Sequence, residues 1–146
     1  MSRVVVRPAD EGDWTAIEAL LTANALPLAG AREHLRTYWI AVDQAECVGV
    51  AGIEVYGPVA LLRSVAVQGA RRTTGIGSAL VDAVMADAAR VGIETLYLLT
   101  TTAADYFAAR EFSVIERSEV PDGLRSSAEF RGACPDAAIC MRRRVR

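Results

Sequence analysis

The stretch RRTTGIGSAL, from Arg71 to Leu80, constrains the fold of this chain more than any other segment. It follows an apolar run, LLRSVAV, and leads into residues 75–91, where apolar side chains recur at helical spacing. A helix that begins here offers free backbone N–H groups and the positive end of its dipole. Gly75 and Gly77 lack the Cβ atoms that would hold a ligand away from those amides, and the two arginines add positive charge. The junction therefore predicts a phosphate or pyrophosphate site.

Two familiar phosphate-binding patterns do not fit this stretch. The P-loop needs a lysine, and all 16 basic residues of the chain are arginines. The dinucleotide fingerprint G-x-G-x-x-G would require its third glycine at Leu80. The pattern R-x-x-G-x-G remains, formed by Arg72, Gly75 and Gly77. Taken alone, this hexapeptide is equally compatible with a flexible turn.

Composition narrows the class of protein. The chain has 146 residues, enough for one domain with a real core. Its net charge of -2 gives no indication of nucleic-acid binding, and no apolar run approaches the length of a membrane span. A single histidine, His34, excludes a zinc site built on several histidines. The three cysteines, Cys47, Cys134 and Cys140, are expected to be reduced thiols in a cytoplasmic protein.

The apolar patterns predict a chain that begins with hairpin-connected strands and continues with βαβ crossovers. This order implies a mixed sheet with helices on both faces. The predicted strands cover residues 4–8, 39–43, 47–56, 59–67, 95–99, 112–117 and 139–145, and the predicted helices cover residues 14–23, 30–38, 75–91 and 104–110.

At this point the sequence resembles the GNAT superfamily of N-acetyltransferases, over nearly its whole length. LLRSVAVQGARRTTGIGSALVDAVMADA resembles the family's central strand, pyrophosphate loop and helix, and LYLLTTTAADYFAAREF resembles the strand and helix that follow. LTTTAADYF is similar to acetyltransferases of the N-acetylglutamate synthase type, while EVYG, SAEF and CPDAAICM are similar to small arsenic-resistance N-acetyltransferases. The resemblance implies an α+β fold with a mostly antiparallel sheet, in one domain over residues 1–146.

The resemblance also implies acetyl-CoA as co-substrate. Amides from Arg72 to Ser78 would hold the pyrophosphate, and the backbone of Val65–Val67 would pair with the pantetheine arm like an added strand. The neighbouring strands would splay there and leave a slot for the thioester. The cofactor residues implied in this way are Val65, Ala66, Val67, Arg71, Arg72, Thr73, Thr74, Gly75, Ile76, Gly77, Ser78, Thr101 and Phe107.

The hairpin at Gly57-Pro58 predicts a pair of charged side chains on the acceptor side of that slot. A two-residue loop places Glu54 opposite Leu61, and Arg63 then lies diagonally across on the same sheet face. Glu54 could accept the proton of an amine, and Arg63 could hold an acceptor carboxylate. The alternatives are an ordinary cross-strand ion pair and a glutamate that faces solvent.

One position departs from the family pattern. Many members carry a tyrosine four residues before the Gly-Phe position as general acid, and here that residue is Phe107, with Tyr106 beside it. Neighbours on a helix lie about 100° apart, so Tyr106 is not expected to substitute. Without this acid, an α-amine with a pKa near ~8 is a better acceptor than a lysine amine near ~10.4. A small amino-acid-like amine is therefore favoured over a protein.

The loop SSAEFRGACP between the last two strands supplies further candidates. Glu129 and Arg131 could contact the acceptor, or the loop could simply be solvated. The main prediction is an N-acetyltransferase without a metal, and a homodimer is left open. The alternatives are a GNAT module that binds acyl-CoA without turnover, and an arsenic sensor that uses Cys134 and Cys140.

Overall fold

The computed structural model describes residues 4–72 and 74–145, so the predicted cofactor residue Thr73 lies outside the described part. Its sheet has the strand order β1-β2-β3-β4-β5-β7-β6. Every pair of neighbours is antiparallel except β4 and β5, which confirms the mixed, mostly antiparallel sheet. The strands are β1 (Val4–Pro8), β2 (Tyr38–Asp43), β3 (Glu46–Tyr56), β4 (Val59–Val67), β5 (Thr95–Thr100), β6 (Ser113–Ile115) and β7 (Ile139–Arg144).

Helices cover both faces of the sheet, as the sequence predicts. Helix α2 (Ile76–Arg90) and helix α3 (Ala104–Ala109) pack through apolar side chains on one face. Helix α1 (Trp14–Ala23) buries Ile17, Leu20 and Leu21 against the other. No helix in the described ranges is long and apolar enough to cross a membrane.

The segment predicted as a helix over residues 30–38 is shorter and more tightly wound. It forms a 3-10 helix at Arg32–Thr37, interrupted at His34, where φ is -110° and ψ is 16°. Leu35 is the buried residue of this segment and packs in the core beside α1. The predicted helix is therefore present only as a short turn that brings His34 towards the sheet.

The β3–β4 hairpin has the predicted two-residue turn, and its register pairs Tyr56 with Val59 and Glu54 with Leu61. Further along, the register shifts between Val50 and Gly52. Ser64 on β4 lies in the left-handed region there, with φ of 61°. This irregularity is a β-bulge, which re-aims the side chains around it.

A close approach of a side chain to the backbone stabilises the bulge. The ring of Tyr38 lies over Gly52, where a Cβ would come within 2.1 Å of the Tyr38 Cδ1 atom. The Tyr38 hydroxyl hydrogen-bonds to Ser64 Oγ at 2.7 Å. Only a glycine at position 52 leaves room for this ring, so the bulge and the tyrosine depend on one another.

The parallel pair β4–β5 separates part of the way along. Pairing runs from Val59 with Thr95 to Leu61 with Tyr97 and then ends, although both strands continue. The sequence prediction that these strands splay is thus confirmed. The separation leaves a gap between the two strands.

Candidate active site

A cavity of about 470 Å³ occupies the gap between β4 and β5. Its walls come from β4 at Leu62–Val65, from β5 and the following loop at Leu98–Ala103, and from α3. The chain after α1 and the loop before β7 complete it. The walls are mainly apolar with a few polar groups, which is the usual character of a small-molecule site.

A buried charged cluster lies at one side of this cavity. Arg63 Nη1 donates to Glu54 Oε2 at 2.7 Å, and Arg63 Nε lies 3.3 Å from Glu129 Oε2. The side chains are 0%, 1% and 4% exposed, respectively. The predicted contact between Arg63 and Glu54 is therefore present, and Glu129 adds a second carboxylate that the strand pattern did not reveal.

Most hydrogen-bond donors of Arg63 are used within the protein. Besides its bond to Glu54, Nη1 donates to the carbonyl of Ala29 at 2.7 Å, and Nη2 donates to the carbonyl of Pro27 at 3.0 Å. Nε donates to Ser64 Oγ at 3.2 Å. A guanidinium has five N–H groups, so at most one is left for an acceptor carboxylate.

Glu54 lies behind Arg63 and does not line the cavity. Its Oε1 atom accepts a hydrogen bond from the Tyr56 hydroxyl and lies 3.5 Å from His34 Nε2. Burial raises the pKa of Tyr56 to about 12, and its hydrogen bond to Glu54 contributes in the same direction. The half-exposed rings of Tyr56 and His34 therefore link Glu54 to the protein surface.

Glu129 does line the cavity, and it is the carboxylate placed closest to it. It begins a π-helical turn, Glu129–Ala133, in the loop before β7. Burial raises the pKa of Glu129, although Arg63 and a hydrogen bond from Cys134 act in the opposite direction. Arg131, the other candidate from this loop, is exposed to solvent and does not line the cavity.

The two C-terminal cysteines differ in their surroundings. Cys134 lines the cavity, and burial raises the pKa of its thiol to about 12. Cys140 packs in a separate apolar cluster, where burial also raises its pKa. Thiols with raised pKa values are poor nucleophiles and poor metal ligands. In the part of the chain that the structure describes, no group of three or more His, Cys, Asp or Glu side chains could hold a metal ion.

The predicted phosphate loop leads directly into α2. Gly75 is the N-cap, with φ of 89°, and as a glycine it has no side chain with which to cap the helix. The first helical hydrogen bond runs from the Ala79 N–H to the Gly75 carbonyl. The N–H groups of Ile76, Gly77 and Ser78 precede that bond, so they are available to an anion.

The arginines of the loop contact neighbouring residues. Arg71 Nη1 donates to Asp43 Oδ2 at 2.5 Å, and Arg72 Nη2 donates to Asn24 Oδ1 at 2.6 Å. The Thr74 hydroxyl donates to the Arg71 carbonyl at 2.5 Å. These contacts fix the loop between α1 and β2, and the ion pair with Asp43 offsets the charge of Arg71.

The remaining predicted cofactor residues lie along the gap. Beyond Leu61, the β5-facing edge of β4 has no strand partner among the described residues; Val65 lines the cavity there, whereas Ala66 and Val67 do not. Thr101 lines the cavity just after β5. Phe107 is 6% exposed and also lines the cavity.

Tyr106 has the partly exposed position expected from its place on α3. Its hydroxyl hydrogen-bonds to Ser78 Oγ at 3.0 Å, at the first turn of α2. Its ring packs edge-on against Phe107, with 5.1 Å between centroids. The hydroxyl therefore lies against the first turn of α2.

Solved acetyltransferase structures have the same fold. N-acetylglutamate synthase from Neisseria gonorrhoeae, in complex with coenzyme A and N-acetyl-glutamate, superimposes with a TM-score of 0.84 at 24% identity. That match covers 100% of this chain but 36% of the synthase, so the chain spans about a third of its length. No curated protein sequence matches this chain.

Two other matches are similar to this chain in length as well. Rv2747 from Mycobacterium tuberculosis, in complex with CoA and NLQ, has a TM-score of 0.79 and 24% identity, covering 94% of this chain and 97% of its own. A GNAT-family acetyltransferase from Staphylococcus aureus Mu50 has a TM-score of 0.76 and 17% identity, covering 99% and 100%. The model of the acetyltransferase (GNAT) family matches residues 6–113. The chain therefore belongs to the GNAT acetyltransferase family.

Proposed function

We propose that this protein is an N-acetyltransferase that moves an acetyl group from acetyl-CoA directly to the amine of a small, amino-acid-like acceptor. The observation that carries the proposal is the cavity in the β4–β5 gap. One of its lining residues, Tyr106, hydrogen-bonds to Ser78 at the N-terminus of α2, and another, Glu129, is a buried carboxylate. The helix N-terminus suits a pyrophosphate. The carboxylate suits an amine that must lose a proton.

The cofactor assignment follows the phosphate loop. The amides of Ile76, Gly77 and Ser78 would bind the pyrophosphate, and the unpartnered edge of Val65–Val67 would pair with the pantetheine arm. Two of the structural neighbours, from N. gonorrhoeae and M. tuberculosis, are complexes with CoA. This agreement supports acetyl-CoA as the donor.

We assign proton acceptance to Glu129. The amine nitrogen attacks the thioester carbonyl carbon, the C–S bond breaks, and the amine proton passes to Glu129 directly or through water. Burial raises the pKa of Glu129, which makes its carboxylate a stronger base than an exposed one. Glu54, the base expected from the hairpin, would instead orient Arg63 from behind.

The acceptor is expected to be small. A cavity of about 470 Å³ is within the range of small-molecule pockets. Phe107 supplies no acid for the departing thiolate, which favours an α-amine with a pKa near ~8 over a lysine amine. The neighbour from N. gonorrhoeae contains N-acetyl-glutamate, an acetylated amino acid. The remaining Arg63 N–H is a candidate contact for the acceptor carboxylate.

The test is thiol release from acetyl-CoA with a panel of amines. The panel contains glutamate, other α-amino acids, phosphinothricin-like and arsenical amino acids, polyamines and a lysine peptide. With an active acceptor, Glu129→Gln should lower kcat about 100-fold or more and leave CoA affinity unchanged. A large loss in Glu54→Gln with little change in Glu129→Gln would instead assign the base to Glu54.

A second function is favoured by one observation, the Phe107 side chain buried where many family members have an acid. A GNAT module that binds acyl-CoA without turnover would have no need of that acid. It would show a clear thermal shift with CoA but no thiol release with any amine in the panel. Release with one class of α-amino acid would exclude it.

A further inference from the structure

Ser64 lies at the point where β4 leaves β5, and the mechanism above makes no use of its side chain. It has φ of 61°, an unusual conformation for a residue with a side chain, and it is 6% exposed. It nevertheless lines the cavity beside Arg63 and Val65. Strained backbone at such a position is common where a side chain must be aimed at a ligand.

The hydrogen bonds of Ser64 can be assigned a direction. Arg63 Nε, which can only donate, lies 3.2 Å from Ser64 Oγ. The Tyr38 hydroxyl lies 2.7 Å from the same atom, and Tyr38 is fully buried with no other side-chain partner in residues 4–72 and 74–145. If Ser64 donated to Tyr38, the Tyr38 proton would be buried without an acceptor, at a cost of about 1–3 kcal/mol.

Tyr38 therefore donates, and both lone pairs of Ser64 Oγ are occupied. The hydroxyl hydrogen of Ser64 is then left without an acceptor among the described residues, because Tyr38 and Arg63 are its two hydrogen-bond partners there. Since Ser64 lines the cavity, this hydrogen is available to a ligand. Donation from a cation and a phenol also polarises the hydroxyl and strengthens it as a donor.

We propose that Ser64 donates this hydrogen bond to the thioester carbonyl oxygen of acetyl-CoA and stabilises the oxyanion of acetyl transfer. The proposal rests on the acetyltransferase function above. As the amine nitrogen bonds to the carbonyl carbon, negative charge develops on the oxygen, which the Ser64 hydroxyl stabilises without giving up its proton. The C–S bond then breaks, the carbonyl forms again, and CoA leaves as thiolate. Tyr38 is a positioning residue, because it acts through Ser64.

The primary test is the carbonyl stretch of a bound ketone analogue, S-acetonyl-CoA with a ¹³C-labelled carbonyl, which cannot transfer an acetyl group. The variant Ser64→Gly is suited to this test because glycine readily adopts a φ of 61°. We expect a lower infrared frequency for the carbonyl bound to the wild type than for the carbonyl bound to Ser64→Gly. Tyr38→Phe should give an intermediate frequency.

Kinetics provide the second readout. Ser64→Gly and Ser64→Ala should each lower kcat about 100-fold, as removal of one oxyanion donor does elsewhere, with unchanged CoA affinity. Equal frequencies in the wild type and Ser64→Gly, with CoA still bound, would overturn the role of Ser64 and leave the proposed function standing. Failure of the wild type to bind CoA or the ketone would overturn both.

Discussion

Gly75 and Gly77 lie two residues apart in the proposed phosphate loop, but the fold requires only one of them. Gly75 has φ of 89°, which a residue with a Cβ adopts at a cost of about 1–2 kcal/mol. Gly77 is in helix α2, and a Cβ there would meet Val67 Cγ2 at 3.5 Å, an ordinary contact. The protein alone gives no reason for a glycine at position 77, whereas a phosphate against its amide does.

Substitution of Gly77 by alanine should therefore separate binding from stability. We expect Gly77→Ala to leave the free energy of unfolding unchanged or raised by up to about 0.5 kcal/mol. CoA binding should weaken about tenfold or more, because a charge-assisted hydrogen bond contributes about 1.5–3 kcal/mol. Urea unfolding and calorimetric titration with CoA would measure the two effects.

Gly75→Ala is the matched control for that experiment. It should lose about 1 kcal/mol or more of stability through its positive φ. CoA affinity unchanged in Gly77→Ala would contradict the assignment of the pyrophosphate to this loop.

The individual site residues differ in how far the sequence could predict their positions. The contact between Glu54 and Arg63 followed from a two-residue turn, because strand register is a local property. Glu129 had no such signal. Its burial depends on a π-helical turn that packs against Arg63 from a distant part of the chain. The loop SSAEFRGACP made Glu129 a candidate contact for the acceptor but did not predict that burial.

Among the elements, the strongest local patterns were predicted best. The bounds of β1, β4 and α1 agree with the sequence prediction, and α2 differs by one residue at each end. The loop before β7 was not predicted in detail, because its short turns have no periodic pattern. They are fixed by tertiary contacts, such as those of the fully buried Leu124.

The turn after α3 contains a residue with an unfavourable backbone conformation. Glu111 stands where many family members have glycine, and its φ is 73°. Its carboxylate lies 3.5 Å from Arg143 Nη2 and is 80% exposed, so this ion pair contributes little. Glu111→Gly should therefore stabilise the protein by about 1 kcal/mol, a rise in Tm of about 3 °C.

Glu111→Ala is the control, because it removes the ion pair and keeps the positive φ. Its Tm should be equal to that of the wild type or slightly lower. Thermal unfolding of the three proteins at one pH compares them, and a fall in Tm for Glu111→Gly would show that the turn is not strained.

For the molecule as a whole, the carboxylate proposed as the base, Glu129, lowers stability when it is ionised. Arg63 contacts two buried carboxylates, those of Glu54 and Glu129, and Glu54 alone is enough to balance its charge. Burial raises the pKa of Glu129, Glu54 adds to this, and Arg63 and Cys134 oppose it. The folded chain therefore binds the Glu129 proton more tightly than the unfolded chain does. Ionisation of Glu129 at neutral pH is thus unfavourable to folding.

This linkage determines how stability depends on pH. Wild-type stability should fall as pH rises from the unfolded glutamate pKa of about 4.3 through the folded pKa of Glu129, and the deficit should persist above it. Glu129→Gln cannot ionise, so it should be more stable than the wild type at pH 8, with a difference that shrinks towards zero near pH 4.

Glu54→Gln is the control. It takes a partner from the fully buried Arg63 and should be destabilised by roughly 3 kcal/mol at pH 8. Urea unfolding of the three proteins between pH 4 and pH 8 measures these differences. A Glu129→Gln variant less stable than the wild type at pH 8 would mean that Glu129 stabilises the fold through Arg63, and its role would then be structural.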